Sequence, residues 1–358
     1  MKKYNFSAGP AILPASVLKE AAKGVVNYQG SGLGLIELSH RGSEFSAVIE
    51  EATALMRELL ELPDGYHVLW MTGGASSQFF MIPMNLLNPD ETAVYIDTGT
   101  WANKAIKEAK AFGNIEVAAS SKADNYNHIP KGVRISAKAK YLHITSNNTI
   151  FGTQYQRFPK SPIPVVCDMS SDMLSRPVDV RPFGLIYAGA QKNLGPAGVT
   201  TVIVREDMLG TVSRHLPSML DYRTFSTNDS MYNTPPVFPI YVTMLTLRWL
   251  KKLGGTKAIQ RRNKAKAKLL YQEIDANPMF LGTAAREDRS LMNACFVMAK
   301  GYESLEAEFL KETKENGLIG LKGHRSVGGF RASIYNAMPK KGVEALCELM
   351  RDFAVRKG

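Results

Sequence analysis

Seven short apolar runs between residues 67 and 204 restrict this chain more than any other feature of it. HVLWMT (67–72) leads through Gly73-Gly74 into the helical pattern ASSQFFMIPMNLL, and TAVYIDTG (92–99) leads into TWANKAIKEAKAF; IEVAAS, KYLHITS, PVVCDMSS, LIYAGA and VTTVIV follow. Short apolar runs that alternate with helices build a mostly parallel sheet covered by helices, because parallel neighbours need a crossover between them. The expected fold is a three-layer α/β/α domain. Helices are also expected over about 14–28 and 43–61, the second ending at the turn residues Pro63-Asp64-Gly65.

Beyond Asn233-Thr234-Pro235-Pro236 the pattern changes. A long helix, VFPIYVTMLTLRWLKKL, stops at Gly254-Gly255, a basic helix follows, and the last hundred or so residues alternate helix and strand as a small α+β unit. The division expected is a large domain over 14–253 and a smaller one from 1–13 with 254–358. There is no internal repeat and no low-complexity tract.

The formal net charge is +11, which raises nucleic acid, an anionic surface or anionic substrates as partners. The densest basic run, KAIQRRNKAKAK (257–268), places Ala258, Ala265 and Leu269 at helical spacing, so its charges are expected to form a solvated helix face. It has no interleaved aromatics for base stacking, and no nucleic-acid partner is expected. No segment approaches the roughly 18 apolar residues of a membrane span, and the start MKKYNFSAGPAILP has no signal-peptide apolar run. A cytoplasmic protein is expected. Cys167, Cys295 and Cys347 share no metal-like or disulfide spacing, and no metal site is expected. Cys347 falls on the apolar face of a C-terminal helix, whereas Cys167 and Cys295 lie inside apolar strand runs.

One lysine stands where chemistry is plausible. In LIYAGAQKNLGPAGVT (185–200) an apolar run ends at Gln191-Lys192 before a loop of glycines and proline. A phosphate-binding G-x-x-x-x-G-K-[ST] loop is excluded, because Lys192 precedes its glycines and Asn193 replaces the hydroxyl residue. At the ligand-binding edge of an α/β sheet, however, a desolvated lysine becomes a nucleophilic amine that can capture a carbonyl. Pyridoxal phosphate would further require a carboxylate for its ring nitrogen, amide groups at a helix start for its phosphate, and a stacking face. Asp168 closes an apolar run 24 residues before Lys192, Gly73-Gly74-Ala75-Ser76-Ser77 opens a helix, and Trp101 follows a third strand end. Each has a plainer reading: a helix cap, a turn that permits close packing, and a core tryptophan.

Taken together, these motifs resemble the class V, fold-type I pyridoxal-phosphate aminotransferases, and within them the family that acts on phosphoserine. The resemblance is carried by NFSAGPAILP, ELSHRGSEF, GGASSQF, TGTWANKA, SSDMLSRPVDV, GAQKNLGPAG, NTPPVFPIY and GHRSVGGFRASIYNA, in order along almost the whole chain. It implies Lys192 as the Schiff-base lysine, Asp168 as partner of the pyridine nitrogen, Trp101 as the stacking residue and Gln191 as neighbour of the ring oxygen. Ala75 and Ser76 match the phosphate-binding helix start, and Thr149 matches a cofactor-contacting threonine. Asn233 and Thr234 match residues that reach the other subunit's cofactor, which implies a homodimer.

The same resemblance assigns His40, Arg41, His324, Arg325 and Arg331 to anionic substrates, with Arg331 on the α-carboxylate. These substrates would be phosphoserine, glutamate and 2-oxoglutarate, in serine biosynthesis and with a further role on 4-phosphohydroxy-L-threonine in pyridoxine synthesis. Bidentate arginines suit such ligands, although exposed loop charge is the plainer reading of each pair. One position departs from the pattern: Asn148 stands where the family usually has glutamate. Two competing readings are a cysteine desulfurase, which needs a mobile catalytic cysteine, and an aminotransferase for small neutral amino acids, which would not need the His-Arg pairs. A basic binding protein without chemistry is a third.

Overall fold

The computed structural model describes residues 3–358. Its central sheet has seven strands: β1 (Tyr66–Met71), β2 (Thr92–Asp97), β3 (Asn114–Ser120), β4 (Leu142–Thr145), β5 (Val165–Asp168), β6 (Phe183–Gly189) and β7 (Thr200–Arg205). They lie in the order β1-β7-β6-β5-β4-β2-β3. From β3 across to β6 all neighbours are parallel, while β7 is antiparallel to both β6 and β1. The inverted β7 restores the direction of β1, so β1 ends at the same sheet edge as β2, β4, β5 and β6. Thr200 is paired with Met71 on one side and Gly189 on the other, which brings the two loops after those residues together.

Alternate strand residues feed opposite layers, as the pleat requires. Ile144 and Ile186 join Phe45, Val48 and Met56 of α2 (Ser43–Leu60) and Ile240 and Met244 of α5 (Val237–Lys252) in one core. Leu185 and Tyr187 join Phe79 and Ile82 of α3 (Gly74–Leu86) and Ile106 of α4 (Thr100–Ala109) in the other. The helix α1 (Ala15–Val26) lies on the first layer through Val17 and Ala21. The fold is therefore three-layer α/β/α with a mostly parallel sheet.

A third core belongs to a smaller antiparallel sheet of β8 (Phe280–Gly282), β9 (Asn293–Met298) and β10 (Phe330–Ser333). Phe280, Phe296, Phe309 and Phe330 cluster there with Phe353 and Cys347 of α7 (Lys340–Lys357), and with Phe6. The helix α6 (Gly255–Ala276) runs from the large core, through Ile259, into this one, through Ala267, Leu270 and Ile274. Among the described residues no helix is long and apolar enough to cross a membrane.

The buried face of α6 differs from the expected one. Ala265 is exposed, Ala258 and Leu269 are half-buried, and the interior is filled by Ile259, Asn263, Lys266, Ala267, Leu270 and Ile274. Two alanines bury too little apolar area to fix a helix against branched residues on the next face. One of the basic residues is consequently inside: Lys266 is 2% exposed, and its ammonium donates to the carbonyls of Ile334 (2.8 Å) and Tyr335 (2.6 Å) just past β10.

Burial, helped by the charge of Arg262, pulls the Lys266 pKa down from 10.5 to about 7. Between those values the unfolded chain binds more protons than the folded one, so this group makes stability rise with pH through that window and adds no pH dependence below it. Lys266→Met should remove that rise and leave two carbonyls unpaired, lowering stability at neutral pH by about 1–3 kcal/mol. Urea melts of both proteins from pH 6 to 10 check this, and parallel profiles for the two would contradict it.

Candidate active site

Five loops meet at the shared strand edge and enclose a cavity of about 430 Å³. Gly73 and Gly74, after β1, have φ of +91° and +69°, and this left-handed turn aims the start of α3 into the cavity. The first N–H groups of a helix have no partner within it, so Ala75 and Ser76 present donors and the positive end of the helix dipole. Trp101, in the first turn of α4 after β2, lies on a second wall. Thr149, on the hairpin that follows β4, accepts from the Trp101 indole N–H at 3.2 Å and so orients the ring. Asp168 ends β5, where its carboxylate accepts from the Ser170 N–H at 2.9 Å. Gln191 and Lys192 follow β6, and the Lys192 ammonium sits 5.5 Å from the centre of the Trp101 ring.

The electrostatics favour an amine that reacts and a ligand that is anionic. Burial pulls the Lys192 pKa below the ordinary lysine range; the Asp168 carboxylate opposes this, Arg331 adds to it, and Asp172 opposes it again. Asp172 is buried beneath the cavity, accepting from Ser146 and from Gln154 at 3.0 Å, with Arg176 at 3.7 Å. Arg331, on β10, reaches across from the small sheet and donates to the Thr149 carbonyl at 3.1 Å. Its Nε is buried without a partner. An unpaired charged donor of this kind is costly, and a carboxylate bound in the cavity would satisfy it. His324 lines the same wall, and burial, with the charges of Arg331, Arg325 and Lys104, holds its imidazole below the usual pKa. A flat, anionic, carbonyl-bearing molecule fits this set: an amine for its carbonyl, a carboxylate, an aromatic wall, a helix start for an anion, and an arginine facing in from the opposite side.

Of the residues expected from the sequence, Ala75, Ser76, Trp101, Thr149, Asp168, Gln191, Lys192, His324 and Arg331 line this one cavity. His40, Arg41, Arg325, Asn233 and Thr234 do not. Arg41, Arg325, Asn233 and Thr234 are exposed, and Thr234 lies 3.4 Å from the ring of the half-buried His40, although 194 positions separate the two. The cavity also includes Ala8, Gly9, Phe79, Ile150 and Ser170. Nothing in the side chains of Ala8 and Gly9 signals a site; they arrive because the N-terminal strap crosses the cavity, held by the Ala11 N–H on the Gln191 carbonyl at 2.9 Å.

Asn148 is buried, with its amide donating to Thr153 at 3.1 Å and its oxygen facing Thr98 at 3.5 Å. A neutral side chain meets both partners there, so the position holds no buried charge and leaves no polar gap. All three cysteines are buried and unpaired. Burial raises the Cys167 thiol well above its ordinary pKa and pushes those of Cys295 and Cys347 up to about 12. None is the accessible thiolate that sulfur chemistry needs.

The sequence model of the family "Aminotransferase class-V" matches residues 3–346. A phosphoserine aminotransferase from Bacteroides fragilis is 57% identical over 353 residues, covering 99% of each chain. The solved phosphoserine aminotransferase of Bacillus circulans subsp. alkalophilus is 50% identical and superposes with a TM-score of 0.96, covering 100% of this chain and 99% of the other. A phosphoserine aminotransferase from Trichomonas vaginalis, solved with pyridoxal phosphate bound, is 40% identical with a TM-score of 0.93, covering 98% of this chain and 100% of the other.

Proposed function

The chain belongs to the class V aminotransferases, and on that premise we propose that it exchanges an amino group between O-phospho-L-serine and 2-oxoglutarate, by two half-reactions that share Lys192. The observation that carries this reading is the convergence, on one cavity, of Lys192, Asp168 and the start of α3 with an arginine whose Nε lacks a partner. Pyridoxal phosphate, the family's cofactor, supplies an aldehyde carbon for amine capture and a ring that withdraws electrons from the substrate's Cα.

The residues of this chain supply the rest. Lys192 Nζ would hold the aldehyde carbon and, once released by the substrate amine, take the proton from Cα and return it to that former aldehyde carbon. Burial lowers the Lys192 pKa and so favours the neutral amine that this role needs. Asp168 would keep the ring nitrogen protonated, Trp101 would cover the ring face, Gln191 would meet the ring oxygen, and the Ala75 and Ser76 N–H groups would hold the phosphate. Arg331 would clamp the α-carboxylate common to all the substrates, with His324 beside it.

Asn233 and Thr234 lie outside the cavity of their own chain, and we assign them to a homodimer in which they reach the neighbour's cofactor site, while His40, Arg41 and Arg325 are assigned to the anionic groups of the substrate. Exposed apolar residues support this: Val26 is 78% and Ile36 59% exposed, with Leu18 and Leu33 on the same stretch of chain. The division into 14–253 and 1–13 with 254–358 is part of the reading, supported by Phe6 packing in the small core while Val17 packs against the sheet. So are a cytoplasmic location, a place in serine biosynthesis and a second substrate, 4-phosphohydroxy-L-threonine.

The test is transamination of phosphoserine against unphosphorylated serine, with 2-oxoglutarate as acceptor. Two charge-assisted contacts to the phosphate are expected to favour phosphoserine by about 10²–10⁴-fold in kcat/KM. Equal rates for the two would sink the substrate assignment while leaving the family intact.

A further inference from the structure

The hairpin after β4 pairs Asn147–Asn148 with Thr153–Gln154 and carries Thr149 over the cavity. It rests on β9 with no space between them: a side chain at Gly152 (φ +76°) would meet Cys295 Cβ at 3.0 Å and the Asn293 carbonyl at 3.1 Å. At this junction Asn293, the first residue of β9, is 0% exposed. Its amide N–H groups donate to Ser333 Oγ at 2.9 Å and to the Tyr335 hydroxyl at 3.2 Å, and its oxygen accepts from Asn147 Nδ2 at 2.8 Å.

Each partner leads to a different wall of the cavity. Ser333 is paired with Asn293 across β9 and β10, two residues from Arg331 and on the same strand face. The Tyr335 hydroxyl donates to the Ala8 carbonyl at 2.7 Å, which fixes the N-terminal strap. Asn147 also donates to Ser171 Oγ at 2.8 Å, in the loop that follows Asp168, and is two residues from Thr149. Thr149 in turn holds Arg331 through its carbonyl. One buried amide thus ties the strand of the arginine to the hairpin, strap and loop that bed the cofactor.

We propose that Asn293 is a positioning residue that sets the place of Arg331 relative to Lys192 and Asp168, and thereby the affinity for substrate carboxylates. This rests on the reading of Arg331 as the carboxylate clamp. A bidentate contact tolerates little displacement, and an error of about 1 Å in a bound group can cost on the order of 10²-fold in rate. A buried amide with three partners resists such displacement because each bond it breaks leaves a polar atom unpaired.

The experiment compares holoenzyme of the wild type and of Asn293→Ala. KM for phosphoserine and for glutamate should rise together by about tenfold, with kcat lowered less than about threefold. The affinity for glutarate, a dicarboxylate that cannot transaminate, should fall by the same factor in calorimetric titration, while pyridoxal phosphate affinity stays within about twofold. Should Asn293→Ala not fold, the double variant Ser333→Ala/Tyr335→Phe, which removes only two hydroxyls, is measured in the same way. Unchanged glutarate affinity, or an equal loss of pyridoxal phosphate affinity, would overturn the proposal. A wild type that binds no glutarate, or binds it equally well after Arg331→Gln, would overturn it too. A wild type that binds glutarate through Arg331 but does not turn over phosphoserine counts only against the proposed function.

Discussion

Lys192→Ala is expected to lower transamination by more than about 10⁴-fold, the largest effect of any single substitution in this chain. General acid–base catalysis by one positioned group contributes about 10²–10⁴-fold, and here the same amine would also hold the cofactor covalently. Lys104, 4.8 Å from the Trp101 ring centre, is no substitute, because it is exposed on α4 and does not line the cavity. The variant should keep its fold, since Lys192 makes no hydrogen bond that holds the loop, whereas the neighbouring Asn193 donates to the Met173 carbonyl at 2.7 Å and accepts from the Asn336 N–H at 3.0 Å. Pyridoxal phosphate should still bind, more weakly, at the start of α3. Borohydride reduction of the wild type, followed by peptide mapping, should find a pyridoxyl group on Lys192 and none anywhere in the variant. Retained turnover, or an adduct on another lysine, would remove Lys192 from its role.

The second large effect is a recovery of activity from two inactive proteins. If Asn233 and Thr234 serve the neighbouring subunit's site, the double variant Asn233→Ala/Thr234→Val should be nearly inactive at limiting cofactor. When it is mixed with Lys192→Ala and the subunits are allowed to reassort, hybrids gain one site that pairs an intact Lys192 with intact Asn233 and Thr234. Random reassortment of equal amounts should restore about one quarter of wild-type activity, since roughly half the dimers are hybrids with one complete site each. The exposure of Asn233 and Thr234, outside the cavity of their own chain, motivates the expectation. A mixture as inactive as its components, under conditions where subunit exchange is independently demonstrated, would place these residues outside the partner's site.

Much of this site was legible because each part is local. A strand that ends in Gly-Ala-Gln-Lys, a Gly-Gly before an apolar helix and an aspartate after Val-Val-Cys are patterns of a few neighbours, and the backbone rules that place them at one sheet edge are general. Arg331 was legible through the family resemblance but not from its own neighbours, since it comes from β10 in another sheet and its partner is the Thr149 carbonyl. Ala8 and Gly9 belong to the motif NFSAGPAILP but had no role read from their side chains, because their contribution is the path of the backbone. Lys266 was misplaced onto the solvated face for a similar reason: only the carbonyls of Ile334 and Tyr335 make its burial tolerable, and they lie 68 and 69 residues away.

By itself the sequence determined the layers, the strand ends that bear chemistry and the burial of Cys347, because periodicity and turn residues act over a few positions and report directly on which side of an element faces the core. Tertiary structure alone decided that β7 runs backwards, so that β1 and α3 join the same edge as Lys192, and that Asn293 ties Arg331 to that edge. Strand order and buried polar partners depend on which distant segments desolvate one another, and the hydrogen bond between Asn147 and Asn293, 146 positions apart, exists only once both sheets have packed.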